Sequence, residues 1–231
     1  MLRSLPTAIA NSIPHKSNIV LLVLSREIFH FLLDWVSTAK RMQPMTETQV
    51  ESLRRMALKS GPREAALVSL LTRHFIRASE LAGTDRGGNP TGLKTADVNL
   101  KDGTLTVRRL KGSVSKTEAL RAGEAEILEA WLKVKPESVW LFPGRSAERP
   151  LTRRQVYNLF HDLCVSANVP AQCAAPHAGR HTLGQMMAGK GAQAKLIQQA
   201  AGHKSLASSG QYYEFRQSHV DAEVNRMLEG K

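Results

Sequence analysis

Through most of this chain apolar residues recur every three to four positions, whereas one block alone alternates every second position, and that contrast limits the fold most sharply. Thr46-Glu47-Thr48-Gln49 has the spacing of a capping box, and Val50, Leu53 and Ala57 follow at helical intervals. Gly61-Pro62 breaks that helix, and a second helical run from Arg63 carries Ala66, Leu67, Leu70, Leu71 and Phe75 toward Arg77 and Glu80. The glycine-rich piece Thr84 to Gly92 reads as a loop. Beyond it, Asp97 to Leu100, a Lys101-Asp102-Gly103 turn and Thr104 to Arg109 form a hairpin pattern, with Leu105 and Val107 alternating against Thr106 and Arg108. A short third strand fits Thr117 to Leu120.

Helical patterns return at Glu124 to Val134 and after a second capping box, Thr152 to Gln155, which opens a run through Val156, Leu159 and Leu163. They continue after Pro176 and over Ala192 to Ala201, where Gly202 supplies a stop. A last amphipathic segment, Gln217 to Leu228, puts Val220, Val224 and Met227 on one stripe. The expected fold is mainly α with a small antiparallel β-sheet near Thr95 to Leu120. Residues 1–45 read as a short N-terminal extension and 46–231 as one domain.

Lys and Arg number 32 against 20 Asp and Glu, a formal net charge of +12. Such an excess favours a polyanionic partner, because each phosphate neutralised by a cation releases a counterion. Two cysteines, Cys164 and Cys173, give no disulfide framework, so a reduced, cytoplasmic protein is expected. Their spacing matches no zinc knuckle, and His177 and His181 add no metal site to them. The apolar stretch Asn18 to Val36 contains Arg26, Glu27, His30 and Asp34, so it reads as an amphipathic or core helix in preference to a membrane span.

His177, Arg180, His203 and Tyr212 follow one another at intervals of three, twenty-three and nine residues. A helix starting at Pro176 would place His177 and Arg180 on one face, where both reach a single anion. Arginine suits that task because its planar fork donates two parallel hydrogen bonds and stays charged. With a phenol last, the series fits phosphodiester cleavage through a covalent phosphotyrosine. Tyr213 is the adjacent alternative, and the nine-residue interval from His203 favours Tyr212.

The run His177-Ala178-Gly179-Arg180-His181-Thr182, then Ala201-Gly202-His203-Lys204-Ser205, then Tyr212, resembles the catalytic end of the tyrosine recombinases, the phage-integrase family. Upstream, Ile76-Arg77-Ala78-Ser79-Glu80-Leu81 resembles that family's first arginine motif, and Leu110-Lys111-Gly112 its β-hairpin lysine. The resemblance covers Thr46 to Phe215. It implies site-specific recombination of double-stranded DNA, with Tyr212 forming a 3′-phosphotyrosyl bond that conserves energy without ATP. Arg77 and Arg180 would clamp the non-bridging oxygens, Lys111 would protonate the leaving 5′-oxygen, and His177 and His203 would assist as base or phosphate donors. It implies no metal or cofactor, a homotetramer on paired sites, and exchange of the segment after the tyrosine between protomers.

Two features depart from the family pattern. The Thr84 to Gly92 stretch reads as an insertion that lengthens the path from Arg77 to Lys111, which leaves Lys116 as an alternative acid. Residues 1–45 are too few for the family's DNA-clamping N-terminal domain. A type IB topoisomerase-like activity and a non-enzymatic DNA-binding relative are the rival functional readings.

Overall fold

In the computed structural model, residues 43–83, 91–109, 115–213 and 228 are described. Helix α1 (Glu47–Ser60) begins at the expected capping box: Thr46 Oγ1 accepts from the Gln49 amide at 3.2 Å and Gln49 Oε1 accepts from the Thr46 amide at 2.9 Å. Gly61, at φ +144°, ends it, and Pro62 opens α2 (Pro62–Arg73), where its missing N–H costs nothing.

Every residue of α2 from Ala65 to Thr72 is buried, so this helix is covered around its whole circumference and forms the centre of the fold. Helix α1 packs on one side of it, with α4 (Glu124–Val134) and α6 (Pro176–Gly189) on others. Leu53, Leu67, Leu70, Leu71, Leu128 and Phe160 of α5 (Arg153–Ser166) fill the space between. Each such side chain contributes about 1.5–3 kcal/mol by leaving water. The close approach of α6 to α2 needs Gly179, because a Cβ there would lie 2.8 Å from the Leu71 carbonyl oxygen.

The chain does not continue helically from α2 to Glu80, contrary to the sequence expectation. Helix α2 ends at Arg73, and Phe75 takes a left-handed conformation at φ +49°. Arg77 is then extended and serves as the N-cap of a separate short helix, α3 (Ala78–Ala82). An L residue with φ above zero is strained, and here the backbone is turned so that its carbonyls serve side chains elsewhere in the fold.

Three strands form one antiparallel sheet in the order β1 (Val98–Asn99), β2 (Thr104–Val107), β3 (Lys116–Ala119). Leu105 pairs with Val98 on one side and Glu118 on the other, and Val107 pairs with Lys116. Leu105 and Val107 are fully buried, as the alternation requires. Strands β1 and β2 are shorter than their patterns, β3 is shifted by one residue, and Arg109 lies beyond the end of β2.

Helix α7 (Ala194–Ala201) ends at Gly202, left-handed at φ +64°, and is followed by the short α8 (Ala207–Gly210) and a 3-10 turn, Gln211–Tyr213. A second, smaller core forms here from Phe75, Ile197, Ala201 and Tyr212. Among the described residues no helix is long and apolar enough to cross a membrane. Residues 1–42 of the N-terminal extension, most of the glycine-rich piece, Lys111 and the stripe Val220, Val224 and Met227 lie outside the described residues, whereas Met45 of the extension is buried in the core.

Candidate active site

The start of α6 puts His177 and Arg180 one turn apart, and the small core beside α6 places Tyr212 next to them. Arg180 is 2% exposed. Its Nη1 donates to the Phe75 carbonyl and its Nη2 to the Ala201 carbonyl at 2.8 Å, while its guanidinium lies 5.5 Å from the Phe75 ring centre. Two backbone acceptors thus fix the plane of the fork. Burial, with the nearby Arg77 charge, pulls its pKa down to about 10, which still leaves it charged near neutrality.

Tyr212 is 6% exposed. The His203 ring stacks beside it at 6.1 Å, the His181 ring meets it edge-on at 5.7 Å and Phe75 lies tilted at 6.5 Å. Gly184 makes the floor of this seat, since a Cβ there would lie 2.6 Å from Tyr212 Cε1. Burial raises the phenol's pKa, although a hydrogen bond and the charge of Arg180 act against that. Tyr213 instead donates to the Ala192 carbonyl.

His203 Nδ1 lies 2.9 Å from Ser209 Oγ. Desolvation and the cations Arg180, Arg77 and Arg109 push its pKa down to about 4. His177 is exposed at the helix start, with its ring 4.5 Å from that of His181, and desolvation followed by His181 and Arg180 brings it to about 4 as well. Both imidazoles are therefore neutral around pH 7 and able to accept a proton.

Arg77 is held from behind. Glu80 accepts from the Arg77 amide at 2.9 Å and from Arg77 Nη1 at 2.6 Å. The same carboxylate receives Arg109 Nη1 at 2.9 Å. Arg109, with a fully buried side chain, also donates to the carbonyls of Phe75 at 2.7 Å and His74 at 3.2 Å, and to Glu118 at 3.2 Å. Glu118 reaches His74 Nδ1 at 3.3 Å, and His74 Nε2 lies 2.5 Å from Glu124, which accepts from Ser69 Oγ at 2.6 Å. Burial alone would raise the three carboxyl pKa values, but hydrogen bonds and neighbouring cations hold Glu80, Glu118 and Glu124 below the usual range.

Arg77, Arg180, His177, His203 and Tyr212 thus form one electrostatically coupled group around the small core, while Lys111 lies outside the described residues. The alternative lysine, Lys116, donates to the Ala200 carbonyl at 2.6 Å and pairs with Glu118 at 3.2 Å, so it caps the C-terminus of α7. The residues that support the arginines were not singled out from the sequence. Arg109 read only as the end of the hairpin pattern, and His74, Glu118 and Glu124 carry no local pattern; Glu80, three positions along from Arg77 in an Arg-x-x-Glu spacing, offered the one available signal. Cys164 and Cys173 are free thiols in the core, and burial pushes Cys164 up to about 12.

The phage integrase family model matches residues 43–219. The type 1 fimbriae regulatory protein FimE of Escherichia coli strain K12 is 31% identical over 161 residues, covering 66% of this chain and 75% of FimE. Tyrosine recombinase XerD of Caulobacter vibrioides is 27% identical over 168 residues, 69% of this chain and 52% of that protein. Among solved structures, XerA recombinase superposes with a TM-score of 0.65 at 23% identity, and XerH site-specific recombinase bound to its difH substrate with 0.64 at 22%. Each covers 80% of this chain, which spans 64% of the XerA chain and 54% of the XerH chain.

Proposed function

The chain belongs to the phage integrase family of site-specific tyrosine recombinases, and from that premise we propose that it cuts and rejoins double-stranded DNA with Tyr212 as nucleophile. The single observation that carries the assignment is the buried Arg180 fork, fixed by two carbonyls and lying close enough to the Tyr212 phenol for its charge to act on it. An arginine already oriented beside the nucleophile costs little reorganisation when a phosphate arrives.

In the proposed reaction Tyr212 Oη attacks phosphorus, and the bond to the 5′-oxygen breaks. A neutral His177 takes the phenolic proton, and Lys111 gives a proton to the leaving oxygen. Arg77 and Arg180 stabilise the charge of the pentacoordinate transition state. Ser209 donating to His203 Nδ1 would leave the ring proton on Nε2, making His203 a neutral donor to a phosphate oxygen. The reverse attack by a 5′-hydroxyl rejoins the strand. Exchange between two duplexes needs four such sites, so the working form is a homotetramer on paired DNA.

The test is recovery of covalent protein–DNA adducts from a library of nicked duplexes of randomised sequence. Wild type should give adducts that map to Tyr212, Tyr213→Phe should retain them and Tyr212→Phe should give none. On recovered sites, a bridging 5′-phosphorothiolate, whose sulfur leaves without an acid, should restore cleavage to Lys111→Ala and not to Arg180→Ala. Absence of any adduct from wild type, or adducts at Tyr213, would overturn the reading.

A further inference from the structure

Phe75 has no part in the chemistry above, yet three elements of the site converge on it. Its φ of +49° departs from what a bulky L residue prefers. That turn directs its carbonyl away from α2 and into reach of two guanidinium groups at once, Arg109 Nη1 at 2.7 Å and Arg180 Nη1. The same turn sends its ring, 2% exposed, into the small core, with Tyr212 6.5 Å away and Arg180 5.5 Å above its centre.

We propose that Phe75 is a positioning residue: its carbonyl aims Arg180, and its ring holds Tyr212 in a covered seat until DNA is bound. Two alternatives are open to a ring in this place. A ring that only filled volume could be replaced without exposing the phenol. One that covers the phenol must control how readily Tyr212 reacts, because Phe75 shares the small core with Tyr212, Ile197 and Ala201 and brings an aromatic ring against it besides those of His203 and His181. The catalytic consequence rests on Tyr212 being the nucleophile, whereas the cover itself can be tested without DNA.

The experiment is nitration of the DNA-free protein by tetranitromethane, read residue by residue from peptide fragmentation. Tyr157, which is 41% exposed on α5, is the internal standard. Wild type should nitrate at Tyr157 while Tyr212 stays protected. Phe75→Ala should raise Tyr212 modification about ten-fold, the factor expected from losing one aromatic pair, with Tyr157 unchanged. Phe75→Leu, which keeps most of the buried volume, should fold and show a smaller rise; it decides the question if Phe75→Ala does not fold. Tyr212 protection in both variants equal to wild type would overturn the proposal. Adduct formation is then measured at saturating DNA, where Phe75→Ala should change the rate of attachment and leave DNA affinity as it was; a change confined to affinity also overturns it. A wild type that forms no adduct would sink the recombinase reading alone, since the nitration result stands without it.

Discussion

Arg109→Met is the substitution whose outcome the structure constrains best. The arginine side chain has no solvent exposure, and it neutralises Glu80 and Glu118, themselves 0% and 6% exposed in their side chains. Met keeps much of the aliphatic length but leaves both carboxylates without that partner and frees the carbonyls of His74 and Phe75. Breaking a buried ion pair from one side costs about 3–5 kcal/mol, because the surviving charge remains desolvated. At about 2–4 °C per kcal/mol for a body of this size, the melting temperature should fall by roughly 6–20 °C. A double-mutant cycle by urea unfolding checks the cause. Glu118→Gln in the Arg109→Met background should cost less than in wild type, with a coupling of about 0.5–3 kcal/mol. Strict additivity of the two single changes, or a loss below about 1 kcal/mol for Arg109→Met, would refute the account of this network as a charge-compensated support for Arg77.

Gly184→Ala places a methyl 2.6 Å from the Tyr212 ring, while alanine itself favours the helix. Circular dichroism should stay unchanged, and covalent attachment at Tyr212 should slow by about a hundred-fold, the cost of misplacing a reacting group by about an ångström. The His74 network also predicts a pH dependence. Burial lowers the His74 pKa, but hydrogen bonds and charges from Glu118 and Glu124 outweigh this and raise it above 6.5. A raised histidine stabilises fully below its unfolded value, and that contribution is lost as pH rises through the folded value. Comparison of wild type with His74→Gln by urea unfolding should therefore show a larger stability gap at pH 5.5 than at pH 9. His177 and His203, whose lowered values act in the opposite sense, cancel in that difference; an equal gap at both pH values would show that His74 is neutral in the fold.

Much of this architecture was readable from local patterns. The two Thr-x-x-Gln boxes place the starts of α1 and α5, and the α4 boundaries coincide with its apolar period, because capping and amphipathic spacing act over a few residues. The third strand fell within one residue of its expected place. The break after Arg73 was not readable. Arg73-His74-Phe75-Ile76 holds neither glycine nor proline, and the turn is stabilised by Arg109 and Arg180, which approach from 34 and 105 positions away in the chain.

The order and spacing of His177, Arg180, His203 and Tyr212 carry the proposed chemistry in the sequence, since a helix turn alone sets two of them side by side and residue type alone dictates what each can do. Tertiary structure decided everything that depends on distant partners. It made Arg77 a cap, not a helical residue, gave Lys116 to the carbonyls of α7, assembled five buried charges behind the clamp, and seated Tyr212 beneath Phe75. The physical reason is range: propensity and periodicity act within a few residues, whereas desolvation and charge compensation are settled only when remote segments pack against one another.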